Sequence, residues 1–272
     1  MPLSINTNIA SLSAQRSFLN SNSALETAYE RLSSGKRINS AVDDAAGLAI
    51  GTDLTSRVSG LNQAVRNVND GISMLQIAEG AYDEVTTILQ RMRDLAVQGA
   101  NDSLTSTETA YLTTEHGKLA AAITDAIGMA KFGNVDLASG AVSVVLQAGA
   151  DATDLVTLTT GTTLVNTIAN LAVQTSDFSM GNASAITFVD GALDAVASYR
   201  ASLGAQQSQL ESTVRNLSNV AENTAAAAGR IMDTDYAAET ANLTKAQILQ
   251  QAATSVLAQA NAQPQAVLSL LQ

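Results

Sequence analysis

The 272-residue chain has no cysteine, no tryptophan, one histidine and two prolines, Pro2 and Pro264. Without cysteine there is no disulfide framework and no thiolate metal site. With His116 as the lone histidine, a transition-metal centre is disfavoured. With no proline between the two near its ends, the chain is free to be helical over long stretches. Aromatic residues are 3% of a composition that is 46% hydrophobic, so Ala, Leu, Val and Ile supply the apolar surface. The large rings that usually fill a compact core are scarce. Positive charge is scarce too: 14 Lys and Arg face 25 Asp and Glu, and the net charge of −11 repels nucleic acid. No run of eighteen apolar residues is present, so no segment reads as a membrane span. The opening MPLSINTNIASLSAQR has its first base at Arg16 and no apolar h-region, unlike a cleavable secretory signal.

What the sequence does have is periodicity. Leu54, Val58, Leu61, Val65, Val68, Ile72, Leu75, Ala78, Tyr82, Val85, Leu89, Met92 and Ala96 are spaced by 3.5 residues on average, the repeat of a coiled-coil seam. A helix over 48–99 would be about 78 Å long, a length found in rods and bundles. A second seam runs through Leu193, Val196, Leu203, Leu210, Val214, Leu217, Ala221, Ala228 and Ile231, with Arg200, Gln207 and Thr224 as polar exceptions. A third helix is expected at 105–130 from Leu112, Leu119, Ile123 and Ile127. The 54–96 seam is expected to pack mostly against these two helices of its own chain. Between them, β-branched AVSVVLQAG (141–149) and alternating DLVTLTT (154–160) flank a short polar turn and read as a β-hairpin. The Thr-, Ser- and Asn-rich stretch 161–187 reads as a loop.

The two ends are helical in pattern but thinly anchored. Residues 4–32 carry Ile5, Ile9, Leu12, Leu19, Leu25 and Leu32, and 239–272 carry Leu243, Ile248, Leu249, Val256, Leu257, Val267, Leu268, Leu270 and Leu271. Burying so few side chains does not offset the entropy of ordering arms of this length. Both ends are therefore expected to be poorly ordered in a free monomer and to fold on association. Between the first arm and the long helix, RLSSGKRINSAVDDAAGLAI (31–50) interrupts the pattern. Gly35 suits a helix C-cap, Ser40 with Asp43 suggests an N-terminal capping box, and Asp43 and Asp44 suit a helix-dipole positive end. The interruption reads as a hinge of Gly35, Ser40, Asp43 and Asp44.

Chemistry-bearing motifs are weak. Asp43 and Asp44 read as helix-start residues rather than a catalytic pair, and His116 as a solvated helix position. Ser33-Ser34-Gly35-Lys36 contains S-x-x-K and Gly-Lys, but Glu30 stands where a P-loop needs its first glycine and no strand precedes it. The N-x-S/T triplets at Asn101, Asn182, Asn216 and Asn242 read as chance. No nucleophile, base and orienting group converge, so no enzyme, catalytic residue, metal or cofactor is expected.

Several long stretches resemble the bacterial flagellins: INTN (5–8), ALETAYERLSSGKRINSAVDDAAGLAI (24–50), GLNQAVRNVNDGISMLQIAEGA (60–81), LQRMRDLAVQGAN (89–101) and RIMDTDYAAETANLTKAQILQQAATSVLAQANAQPQAVLSLLQ (230–272). LQAGADATDLVTLTT (146–160) is similar to the hairpin that follows the N-terminal helices in that family. The resemblance implies a mainly α fold, a long helical coiled-coil rod from both end segments with a small β-hairpin region. It implies an inner-tube layer, D0, from about 1–40 and 236–272. The rod layer, D1, would come from 41–190 and 191–235, without the extra outer domains many flagellins carry. It implies a secreted, extracellular subunit that polymerises into the swimming filament. Its partners would be like copies, filament cap and hook-junction proteins and an export chaperone on the C-terminal arm, reached through type III export. O-glycosylation within 161–187 is also implied. So is Toll-like receptor recognition through Arg91, Leu95 and Glu115. The subunit interface is expected at Ile5, Ile9, Leu12, Leu19, Leu243, Leu249, Val256, Leu257, Val267, Leu268, Leu270 and Leu271. The competing readings are a hook-filament junction protein and a lipid-surface amphipathic-helix protein; the acidic charge disfavours the second.

Overall fold

The structure is a computed structural model that describes residues 8–101, 103–138, 142–160 and 183–269. Among the described residues five helices and two small antiparallel sheets make a mainly α fold. The elements are α1 (Ile9–Ser34), α2 (Ala45–Gly99), α3 (Ser106–Met129), β1 (Lys131–Phe132), β2 (Val135–Asp136), β3 (Val142–Gln147), β4 (Leu155–Thr160), α4 (Ala183–Met232) and α5 (Tyr236–Ser269). The chain divides into two compact units, 57–222 and 1–56 with 223–272.

The 57–222 unit is built on the periodicity of α2. Its seam residues from Leu61 to Ala96 are buried or half-buried, as are Leu193 to Leu217 on α4. Val68, Leu75, Tyr82, Val85, Leu89 and Met92 share one core with Ile123 and Ile127 of α3 and with Val189, Val196, Leu203 and Leu210 of α4. With few rings available, Tyr82 sits at the centre, edge-on to Tyr199 at 4.8 Å, and donates to the Ala138 carbonyl at 3.4 Å. Burial holds its hydroxyl far above the usual phenol range. Helix α3 starts at a full capping box: Thr105 Oγ1 accepts from Glu108 N, and Glu108 Oε2 accepts from Thr105 N at 2.8 Å.

The hairpin β3–β4 pairs Val144 with Leu158 and Leu146 with Val156, placing Leu146 and Leu158 in the core. It lies against α2 where Gly71 leaves room: any Cβ there would strike Leu146 Cδ1. Two helices also reach the strands' backbone. Asn67 Nδ2 donates to Gln147 O at 3.2 Å, and Gln206 both accepts from Thr159 N and donates to Thr159 O. A two-residue hairpin, β1–β2, follows α3 with Gly133 at φ +60°. It was not anticipated, because KF and VD are too short to show alternation. Residues 183–187 are helical rather than loop, and 161–182, with their glycosylation expectation, lie outside the described residues.

His116 corrects the expectation of a solvated position: it is fully buried. It lies on the face of α3 formed by Leu112, Ala120, Ile123 and Ile127, four residues from both Leu112 and Ala120. Burial lowers its pKa to about 4. Between pH 6.5 and 4 the unfolded chain therefore binds a proton that the folded chain does not. Stability contributed by the neutral imidazole is complete above pH 6.5, falls as the pH drops towards 4 and changes little below that. We predict that His116→Gln flattens the pH dependence of urea unfolding in this window by roughly 3 kcal/mol relative to the parent chain. Leu89→Ala, at a fully buried seam position, is predicted to cost about 2–5 kcal/mol in the same assay, independent of pH.

Candidate assembly interface

In the other unit α1 and α5 run antiparallel, and most of the fully buried residues between them are small. Ser11, Ala14 and Ala28 of α1 are buried, and α5 buries Glu239, Ala246, Ala253 and Ala260, spaced by seven. Short side chains let the helices approach closely, and polar residues tie them along their length. Asn8 Nδ2 donates to Ala260 O at 2.8 Å, Ser11 Oγ to Asn261 Oδ1 at 2.8 Å and Gln250 Nε2 to Asn22 Oδ1 at 3.1 Å. Near the other end Glu239, almost buried, lies 3.9 Å from Arg31 Nη1.

The same seam half-buries Phe18, Leu25 and Leu32 of α1 but leaves other large apolar residues outside. Ile9, Leu12 and Leu19 are 71%, 57% and 66% exposed, and Ile248, Leu249 and Val256 are exposed on α5. Leu243 and Leu257 are half-buried. Ile5, Leu270 and Leu271 lie outside the described residues, and so do the side chains of Val267 and Leu268.

Both chain breaks in this unit meet in one joint. Gly35 ends α1 in the left-handed conformation, φ +70° and ψ +6°, with its N–H on Arg31 O. The next residues pair with the break between α4 and α5. Arg37 N donates to Met232 O at 2.6 Å, Thr234 N donates to Gly35 O at 3.0 Å, and the backbones of Lys36 and Asp233 pair as an isolated antiparallel β-bridge. The Arg37 guanidinium caps the end of α4 by donating to Ile231 O at 2.8 Å. Asp235 opens α5, accepting from Ala237 N and Ala238 N.

The start of α2 corrects the capping expectation. Ser40 is not its N-cap: residues 40–43 form a turn closed by Asp43 N on Ser40 O. The Asp43 carboxylate accepts from Ser40 N and Asn39 N, which hold its pKa below the usual value. The helix begins at Ala45, and the cap is Asp44, whose Oδ1 accepts from Gly47 N at 2.9 Å. The S-x-x-D spacing misled because Ser40 Oγ bonds the Asp43 carboxylate rather than the Asp43 amide.

In the 57–222 unit, Arg91 and Glu115 form a two-armed ion pair at 2.7 and 3.1 Å on the exposed faces of α2 and α3. Leu95 lies beneath, buried with Leu112, so a partner at this surface would touch Arg91 and Glu115 but not Leu95. Among the described residues no group of His, Cys, Asp or Glu is placed to hold a metal, and no helix is long and apolar enough to cross a membrane.

A pair of long terminal helices in one unit and a helical core in the other, with no metal or catalytic cluster among the described residues, are features of a structural subunit. Comparison with known proteins places it more closely. The sequence pattern of the bacterial flagellin N-terminal helical region matches residues 5–143, and that of the C-terminal helical region matches 186–271. The chain is 44% identical to a flagellin of Halalkalibacterium halodurans, over 98% of this chain and 99% of that one. It is 35% identical to flagellin B of Vibrio cholerae in an alignment of 378 residues covering both chains fully. A crystal structure of Bacillus cereus flagellin superposes with a TM-score of 0.49 at 27% identity, over 60% of this chain and 94% of that one. The chain belongs to the bacterial flagellin family and is a structural subunit of the flagellar filament.

Gly35→Ala is predicted to lower the melting temperature of assembled filaments. The left-handed backbone costs an alanine about 1–2 kcal/mol, and its Cβ would stand 2.9 Å from Tyr236 Oη. Gly35→Asn, which tolerates that conformation better, is predicted to lose less in the same calorimetric scan.

Proposed function

We propose that the chain builds its filament by coupled folding and association, the terminal arms becoming fully ordered when like copies cover them. The observation that carries this reading is the placement of Ile9, Leu12, Leu19, Ile248, Leu249 and Val256 on the outside of a pair whose fully buried apolar residues are alanines. A helix pair that fully buries only alanines and leaves its leucines half or wholly exposed buries little apolar area per residue, so it is marginal alone. Neighbouring copies supply the missing burial. On this reading 1–40 and 236–272 form the inner layer of the filament, with 41–235 outside it, and the assembled polymer serves swimming. Such a subunit is secreted to the cell exterior by type III export. The exposed apolar residues of the C-terminal arm give an export chaperone something to cover before assembly. Filament cap and hook-junction proteins contact the same ends, and a Toll-like receptor meets the Arg91–Glu115 surface.

Deleting 240–272 is predicted to abolish seeded polymerisation, measured by sedimentation and electron microscopy, while circular dichroism still reports a folded helical core. Normal filaments from the truncated chain would refute the reading. Leu12→Ser and Leu19→Ser together are predicted to raise the critical concentration for assembly at least tenfold, because both side chains are exposed before association.

A further inference from the structure

Glu239 puts a charge where the arm pair gains little stability from one. On α5 it takes the first place in the buried heptad that continues with Ala246, Ala253 and Ala260. Among the described residues it is the only Asp, Glu, Lys or Arg that is buried. Its partner across the pair, Arg31 Nη1, lies 3.9 Å away, too far for a hydrogen bond. Arg31 Nε is buried without a hydrogen-bond partner. A carboxylate and part of a guanidinium are desolvated for one long contact. Such a pair adds little or nothing to stability over apolar residues of the same size.

What the pair can supply is register. Both helices carry covered positions in repeating steps of three and four, from Ser11 to Leu32 on α1 and from Glu239 to Ala260 on α5. Sliding α5 by one heptad sets alanine where alanine was, so the apolar seam alone does not tell the registers apart. After that slide Glu239 lies in the place of Ala246, where α1 offers no base: residues 17–30 hold neither Lys nor Arg. A carboxylate buried without its opposite is far more costly than the native pair. Slid the opposite way, Arg31 meets Ala246 and loses its carboxylate. The other ties discriminate less. Gln250–Asn22 and Ser11–Asn261 join neutral groups, of which both helices hold several. The backbone bonds at 35–37 and 231–234 join peptide groups, which every residue carries.

We propose that Arg31 and Glu239 are the register key of the terminal arms. They select the one alignment of α1 and α5 that presents a fixed set of exposed apolar residues, rather than a mixture of sets shifted by a heptad. They are positioning residues within one chain, not contacts with another copy, so the proposal goes beyond the assembly reading and stands or falls apart from it.

Because the chain has no cysteine, introduced cysteines report the alignment directly. Ser11→Cys with Asn261→Cys reports the native register, since those side chains meet at 2.8 Å. Ser11→Cys with Thr254→Cys reports the register one heptad away. Both pairs are oxidised in the unassembled full chain, and the yields of intramolecular disulfide are compared. With Arg31 and Glu239 intact, the native link is expected to exceed the shifted one about tenfold. Arg31→Ala with Glu239→Ala leaves no unpaired charge and extends the alanine heptad. Its helicity by circular dichroism is expected to hold while the preference falls to within about twofold. The exchanged pair, Arg31→Glu with Glu239→Arg, is expected to restore the preference. That preference, not the helicity, is the readout that a role in stability alone leaves unmoved. No preference with the native pair intact, the same preference in the double-alanine variant, or no restoration by the exchange overturns the assignment.

Discussion

The α1–α5 pair fully buries its alanines but leaves much of its larger apolar surface open, and the rest of the account depends on that constraint. Ala14 and Ala28 are buried along with the heptad Ala246, Ala253 and Ala260, Leu25, Leu32, Leu243 and Leu257 are half-buried, and Ile9, Leu12, Leu19, Ile248, Leu249 and Val256 face outwards. With so much of its large apolar surface uncovered, the pair keeps an exterior that water disfavours and neighbouring copies can bury. Polar bonds along the pair, from Asn8–Ala260 to Gln250–Asn22, align it without adding much net stability.

The 57–222 unit has the opposite design. Its large apolar residues face inwards in one continuous core, from Val68 to Met92 on α2 and from Val189 to Leu210 on α4. The joint at 35–37 and 231–234 gathers the two chain crossings in one place, with backbone bonds and the Arg37 cap replacing the helical bonds lost at the breaks. An interruption that looked like a loose hinge in one strand of the sequence is tied to its counterpart almost two hundred residues away.

Much of this was legible in the residues. The 3.5-residue spacing located α2 and the second half of α4, and the alternation in DLVTLTT located β4. Gly35 announced its left-handed cap. Which face of each arm turns inwards is not legible, because large apolar residues lie on both faces and the alanine heptad carries little hydropathy contrast. His116 was missed for a related reason: Leu112, Ala120 and Ile123 share its face, but a polar residue inside that run reads as solvated until packing is seen. Ser40 and Asp44 differ by a choice the sequence leaves open. Both can cap a helix, and three-dimensional bonding of Asp43 decides between them.

The central claim is that the arms acquire their stability from neighbours. Amide hydrogen exchange, compared between the isolated chain and the assembled filament, tests it most directly. The account predicts rapid exchange across 9–34 and 236–269 in the isolated chain, strong protection of both in the filament, and protection of the 61–96 core in each. Arms protected to the same degree in the isolated chain would contradict it.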